Sequence, residues 1–167
     1  CNSINCFKYV LLNCPQDQKK YVLDESFEAA IIGGNMEIIH LIENIPEVFQ
    51  DDYAFKKRRR YVAFAALYHR NEICDWLIKT KGYKIDETAL VYAAKSGNLS
   101  FLITYFDMID RFTYDAVVAS MQFHHFCVLK FILASGKYDI NEYSSYKWTA
   151  LHFAAANGFD DELKLLC

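Results

Sequence analysis

The side chains able to do chemistry are few and scattered. His124, His125 and Cys127 make the tightest cluster of metal-ligating types. Imidazole and thiolate both suit zinc, yet a zinc site needs about four ligands, and no second ligand pair follows at a zinc spacing. The run Lys56-Lys57-Arg58-Arg59-Arg60 carries five of the eighteen basic residues. Such a run suits a nuclear-import signal or a phosphate-binding patch, or else a solvated loop and first helical turn. Acidic Glu43, Glu47, Asp51 and Asp52 stand just upstream and offset it, which favours the solvated reading. The phosphate loop, the dinucleotide fingerprint, the paired-histidine zinc helix and the nucleophile elbow are all absent. The sequence therefore predicts no enzyme: no catalytic residue, no cofactor and no metal.

The elements that carry these residues must be helical. Hydrophobic residues make up 53% of the 167 and charged residues 23%, enough for a continuous core under a charged surface. Six Gly and two Pro leave little room for coil. The longest apolar runs fall well short of the roughly 20 residues that span a bilayer, so no membrane is expected. The net charge of −3 gives no general attraction to nucleic acid, and the basic run is its only hint. Cys1, Cys6, Cys14, Cys74, Cys127 and Cys167 lie among apolar neighbours with no CxxC, which predicts reduced packing thiols in a cytoplasmic or nuclear protein.

A helix–tight turn–helix pattern repeats along the chain. FEAAIIGG, AFAALYHR, LVYAAKSG, VVASMQFH and LHFAAANG each precede an apolar helix: NMEIIHLIE, NEICDWLIK, NLSFLITYF, HFCVLKFIL and FDDELKLLC. Taking the turn glycine as origin, equivalent places are Gly34, Arg70, Gly97, His124 and Gly158. Small residues Ala30, Ala66, Ala93 and Ala154 recur before them, where helices must approach closely. Pro15 and the polar residues after it end a first helix, CFKYVLLN, and Asp24 or Ser26 caps the next. Asn35 caps its partner, with Ile38, Ile39, Leu41 and Ile42 as the buried stripe. The turns at Arg70 and His124 lack glycine and are expected to be differently built.

The last twenty residues, Trp148 to Cys167, read WTALHFAAANGFDDELKLLC and resemble the core of an ankyrin repeat. The matches are Thr149, Leu151, His152, Ala154, Ala155, Gly158 and the face of Leu163, Leu165 and Leu166; Ala150 stands for the usual Pro and Phe159 for the usual His. SGKYDINEYSSYKW before it, with Asp139, Ile140 and Asn141 in register, resembles the inter-repeat finger, and KTKGYKID at 79–86 a shortened one. The style resembles the divergent ankyrin-like repeats of parasitic protists such as trichomonads. The resemblance implies an all-α helix–turn–helix solenoid over 1–167, with about four complete repeats between partial ones, and shortened loops near Asp86 and Asp110. The chain reads as a piece of a longer array. His152 then bonds backbone in the adjoining loop and His125 is the family's post-glycine histidine. Asn141, in a context resembling a hydroxylation site, reads as a turn residue.

By the same resemblance the places before each origin face the concave groove: Tyr68, His69, Lys95, Gln122, Phe123 and Asn157. With finger residues Tyr146 and Trp148 they form a strip of the large aromatics that binding hot spots use. The expected function is a non-enzymatic scaffold that binds an unidentified protein, monomeric within its full-length chain. The alternatives are a regulatory segment of a larger enzyme and a nuclear factor using residues 56–60.

Overall fold

The structure, a computed structural model, describes residues 3–45 and 52–167, without the side chains of Ser3 and residues 52–59. Glu47, Asp51 and Cys1 lie outside the described residues, as do the side chains of Asp52 and Lys56–Arg59. The helices are α1 (Ser3–Asn13), α2 (Gln16–Gly33), α3 (Met36–Glu43), α4 (Asp52–Leu67) and α5 (Asn71–Asp75), the last running into a π-helical turn (Trp76–Thr80). There follow α6 (Glu87–Ser96), α7 (Leu99–Thr104) with a 3-10 turn (Phe106–Met108), α8 (Tyr114–Gln122), α9 (Phe126–Ala134), α10 (Ala150–Asn157) and α11 (Asp160–Leu166). Among the described residues β pairing is confined to one isolated bridge, Tyr143 to Thr149. The architecture is all-α and ankyrin-like, as expected. Among those residues no helix is long and apolar enough to cross a membrane.

One reversal joins each helix pair. Gly34, His69, Gly97, His124 and Gly158 sit in left-handed conformation, at φ of 78°, 56°, 73°, 55° and 68°. The next residue's N–H then reaches a carbonyl five back: Asn35 to Ala30, Arg70 to Ala65, Asn98 to Ala93 and His125 to Ser120 at 2.8 Å, and Phe159 to Ala154 at 3.0 Å. This closes the last turn of the first helix and satisfies a carbonyl that would otherwise be orphaned. The second origin is therefore His69, not Arg70, and the small residue there is Ala65, not Ala66. The non-glycine turns have the same backbone as the others. Histidine tolerates the left-handed region better than most side chains.

This register organises the core. Ala30, Ala65, Ala93, Ser120 and Ala154 are all buried and let α2, α4, α6, α8 and α10 stack in order. On the second helices Ile42, Leu77, Tyr105, Ile132 and Leu166 are buried at one equivalent place, and Ile39, Cys74, Leu102 and Leu129 at another. Each fully buried aliphatic side chain contributes about 1.5–3 kcal/mol. No pair could hold itself together, since α5, α7 and α11 are too short to be stable alone.

Several local expectations are corrected. α2 starts at Gln16 with Pro15 at its cap, so Asp24 and Ser26 are helix interior. Gln and Lys are good helix formers, and Leu23 and Phe27 anchor the extended helix in the core. The basic run begins beyond the first turn of α4 rather than in a loop, and Arg60 there is exposed. Glu43 is engaged by Lys81 and by His40 at 3.5 Å. In α11 the buried residues are Glu162 and Leu166, while Leu163 and Leu165 are partly exposed.

Candidate recognition surface

The places before the left-handed turns are helix C-termini, stacked because α4, α6, α8 and α10 stack. Lys95, Gln122 and Asn157 are exposed there, as are the aromatics Tyr68 (45%) and Phe123 (44%). Lys95 and Phe123 meet, the ammonium 5.2 Å from the ring centroid, a cation–π contact between α6 and the end of α8. Asn157 turns back to donate to the Phe153 carbonyl at 2.8 Å. His69 occupies the turn itself, and its Nε2 lies 2.9 Å from the Ser96 carbonyl. A carbonyl only accepts, so that nitrogen carries the proton.

Tyr146 and Trp148 belong to a separate device, the finger between α9 and α10. Ser144 N–H donates to the Trp148 carbonyl at 2.8 Å and Lys147 N–H to the Ser144 carbonyl at 2.9 Å, closing a hairpin around Lys147 at φ 63°. The Ser144 hydroxyl accepts from the N–H groups of Tyr146 and Trp148, both at 3.3 Å. Tyr146 is left 85% exposed and Trp148 43% exposed. Tyr143 and Ile140 in the same connection, and Leu151 in the first turn of α10, are further exposed apolar side chains. Sequence reasoning missed them: Ile140 and Leu151 were absorbed by the motif match, and Tyr143 became visible only through its pairing with Thr149.

The shorter connections bear out the expected trimming. A six-residue segment, 81–86, links the π-helical turn to α6, where the Asp86 side chain caps by accepting from Ala89 N–H at 3.0 Å. The five-residue segment 109–113 links the 3-10 turn to α8, without a side-chain cap, and leans on the finger base, where Lys137 donates to the Phe106 and Ile109 carbonyls at 2.7 and 2.6 Å. A cleft of about 330 Å³ opens there beside Tyr138, whose phenol is pushed up to about 12 by burial. Two of its charged groups meet, Arg111 and Glu142 at 3.1 Å, and the Asp139 carboxylate is taken up by Asn141 N–H.

The histidines have structural partners. His152 Nδ1 accepts from the Thr149 N–H at 3.3 Å and lies 2.8 Å from its hydroxyl, forming a capping box for α10. His125 Nε2 lies 3.1 Å from the Lys95 carbonyl, and His124 pairs with Glu162. Among the described residues no three His, Cys, Asp or Glu side chains are placed to hold a metal ion. The described cysteines are free. Cys74 is a packing thiol, its pKa pushed up to about 12 by burial, whereas Cys6, Cys127 and Cys167 are exposed. The finger turn is held by the Asp139 carboxylate, which accepts from Asn141 N–H at 2.9 Å, rather than by the Asn141 side chain.

Residues 116–166 match the family model described as ankyrin repeats (many copies). No curated protein matches the chain. The matched stretch contains the turns at His124 and Gly158 and the finger between them, and the same turn geometry recurs upstream at Gly34, His69 and Gly97. Ankyrin repeats generally mediate protein–protein contact, and residues 116–166 of this chain belong to that family.

Proposed function

We propose that the chain is a non-enzymatic scaffold that binds a partner protein along its concave helix ends and finger. Tyr68, His69, Lys95, Gln122, Phe123, Tyr146, Trp148 and Asn157 make the contact. The observation that carries this reading is the finger: backbone and Ser144 bonds hold the hairpin, while Tyr146 and Trp148 stay in solvent. Large aromatics on an ordered support bind with little further ordering cost. The register supports an array of about four complete repeats with partial ones beside them, forming a single unit over 1–167. Unpaired exposed thiols suit a reducing compartment, cytoplasm or nucleus.

A photo-crosslinking residue at Tyr146 should trap a discrete protein from cell extract. The same probe at Ile103, exposed on second helix α7, should trap none of it. Equal trapping at both positions would sink the assignment to this face.

A further inference from the structure

Glu162 breaks the register. The fourth residue after each left-handed turn is Ile38, Ile73, Phe101, Val128 or Glu162, and each is buried. Four of these places hold a large apolar side chain; the last holds a carboxylate whose side chain is only 4% exposed. A carboxylate in that setting is costly unless it is paired. Its partner is His124, with Nδ1 3.3 Å from Oε1.

His124 is itself a departure. It takes φ 55° at a place where Gly34, Gly97 and Gly158 supply glycine. Its ring lies edge-on to Phe159, with centroids 5.2 Å apart, and the side chain is 64% exposed. Each substitution alone strains the fold: a side chain in a left-handed turn, a charge in an apolar layer. Together they meet, across the boundary between the α8–α9 pair and the α10–α11 pair.

We propose that His124 and Glu162 form a proton-operated latch docking α10–α11 onto α8–α9. With His124 protonated, Nδ1–H donates to the carboxylate as a charge-assisted bond. When the imidazole loses its proton, the carboxylate is left ionised in an apolar layer without a compensating charge. Imidazoles exchange that proton between about pH 5 and 8. Docking is therefore firm at mildly acidic pH and loosens on alkalisation. The other titratable groups nearby are placed elsewhere. On α11, Asp161 pairs with Lys164 at 3.0 Å and Asp160 is exposed. On α10, His152 accepts from the Thr149 N–H. His125 lies on the Lys95 carbonyl, and Cys127 and Lys130 on α9 are exposed. The latch needs no bound partner, so it stands or falls apart from the recognition surface.

The test is hydrogen exchange of the α11 amides, corrected for intrinsic rate, at mildly acidic and mildly alkaline pH, with α6 as internal control. In the native chain, α11 protection should fall several-fold on alkalisation while α6 holds. Glu162→Leu restores the residue type of the register and should leave α11 equally protected at both pH values. His124→Gly keeps the turn and should leave α11 weakly protected at both. A pH response unchanged in Glu162→Leu, or none in the native chain, would overturn the latch. So would an imidazole titration of His124, followed by NMR, that Glu162→Leu does not move.

Discussion

Arg70 and His125 stand at the same place, one residue past a left-handed turn, and make the same bond. Arg70 Nε donates to the Ile32 carbonyl at 2.9 Å, and His125 Nε2 lies 3.1 Å from the Lys95 carbonyl. Ile32 and Lys95 are themselves equivalent, each two residues before the preceding turn. Two chemically different side chains thus pin one helix end to the next. Arg70→Ala and His125→Ala should each destabilise by about 1 kcal/mol, the net worth of such a bond. Urea denaturation with an unchanged m-value is the check.

The same geometry makes one glycine dearer than another. A Cβ at Gly97 would lie 2.6 Å from His125 Nδ1, whereas at Gly158 nothing lies within 4 Å. Both have positive φ, 73° and 68°, so Gly→Ala strains the backbone at either. Gly158→Ala should cost about 1 kcal/mol, and Gly97→Ala clearly more. In a His125→Ala background the excess at Gly97 should vanish, which thermal melting of the double variant would show.

Asn98 is a buried polar residue that joins neighbouring helix pairs in the middle of the stack. It is 1% exposed; its amide donates to the Ala66 carbonyl at 2.8 Å and Asn71 Oδ1 at 3.0 Å, while its oxygen caps α7 at Phe101 N–H, 3.1 Å away. Asn98→Ala removes all of these and leaves buried backbone unpaired. We expect a loss of about 2–4 kcal/mol, larger than for any exposed cap, measured by chemical denaturation.

Ala93 is fully buried where α6 stacks between α4 and α8. Ala93→Leu should overpack the interface and cost about 1–3 kcal/mol. An unchanged melting temperature would show that the helices do not approach there.

Asp75 supplies a pH-dependent contact between the second helices. Hydrogen bonds from Lys79, at 2.7 Å, and then from the buried Tyr105 phenol hold its carboxyl below the usual range. Burial first, and then this bond, pushes the Tyr105 phenol up. A lowered folded-state pKa means the contribution is present above about 3.9, the ordinary aspartate value, and is lost as pH falls through the lowered one. Tyr105→Phe should move the Asp75 titration part-way back up, as read by carboxyl NMR.

The parts of the fold legible in the sequence were those marked by residues with few substitutes. Gly97 and Gly158 announce left-handed turns and Ala93 and Ala154 a close helix approach, so those pairs were placed correctly. Where histidine does glycine's work the mark disappears, and the sequence pattern places the second turn one residue late, at Arg70 rather than His69. The polar start of α2 reads as a break because its Gln and Lys carry no apolar rhythm. Asn35 is readable as a cap because its side chain acts within three residues; Asp86, read only as the place of a shortened loop, caps α6 in the same way. The Lys95–Phe123 contact and the Glu162 pair join distant residues, and no local pattern reveals them.

The central claim, recognition through the strip and finger, is tested most directly by quantitative capture from cell lysate with the native chain and the Phe123→Ala/Trp148→Ala double variant as parallel baits. Both side chains are more than two-fifths exposed, so circular dichroism and melting should be unchanged by the substitutions. The account predicts a protein retained by the native chain and lost from the folded double variant. The same protein retained equally by both would contradict it.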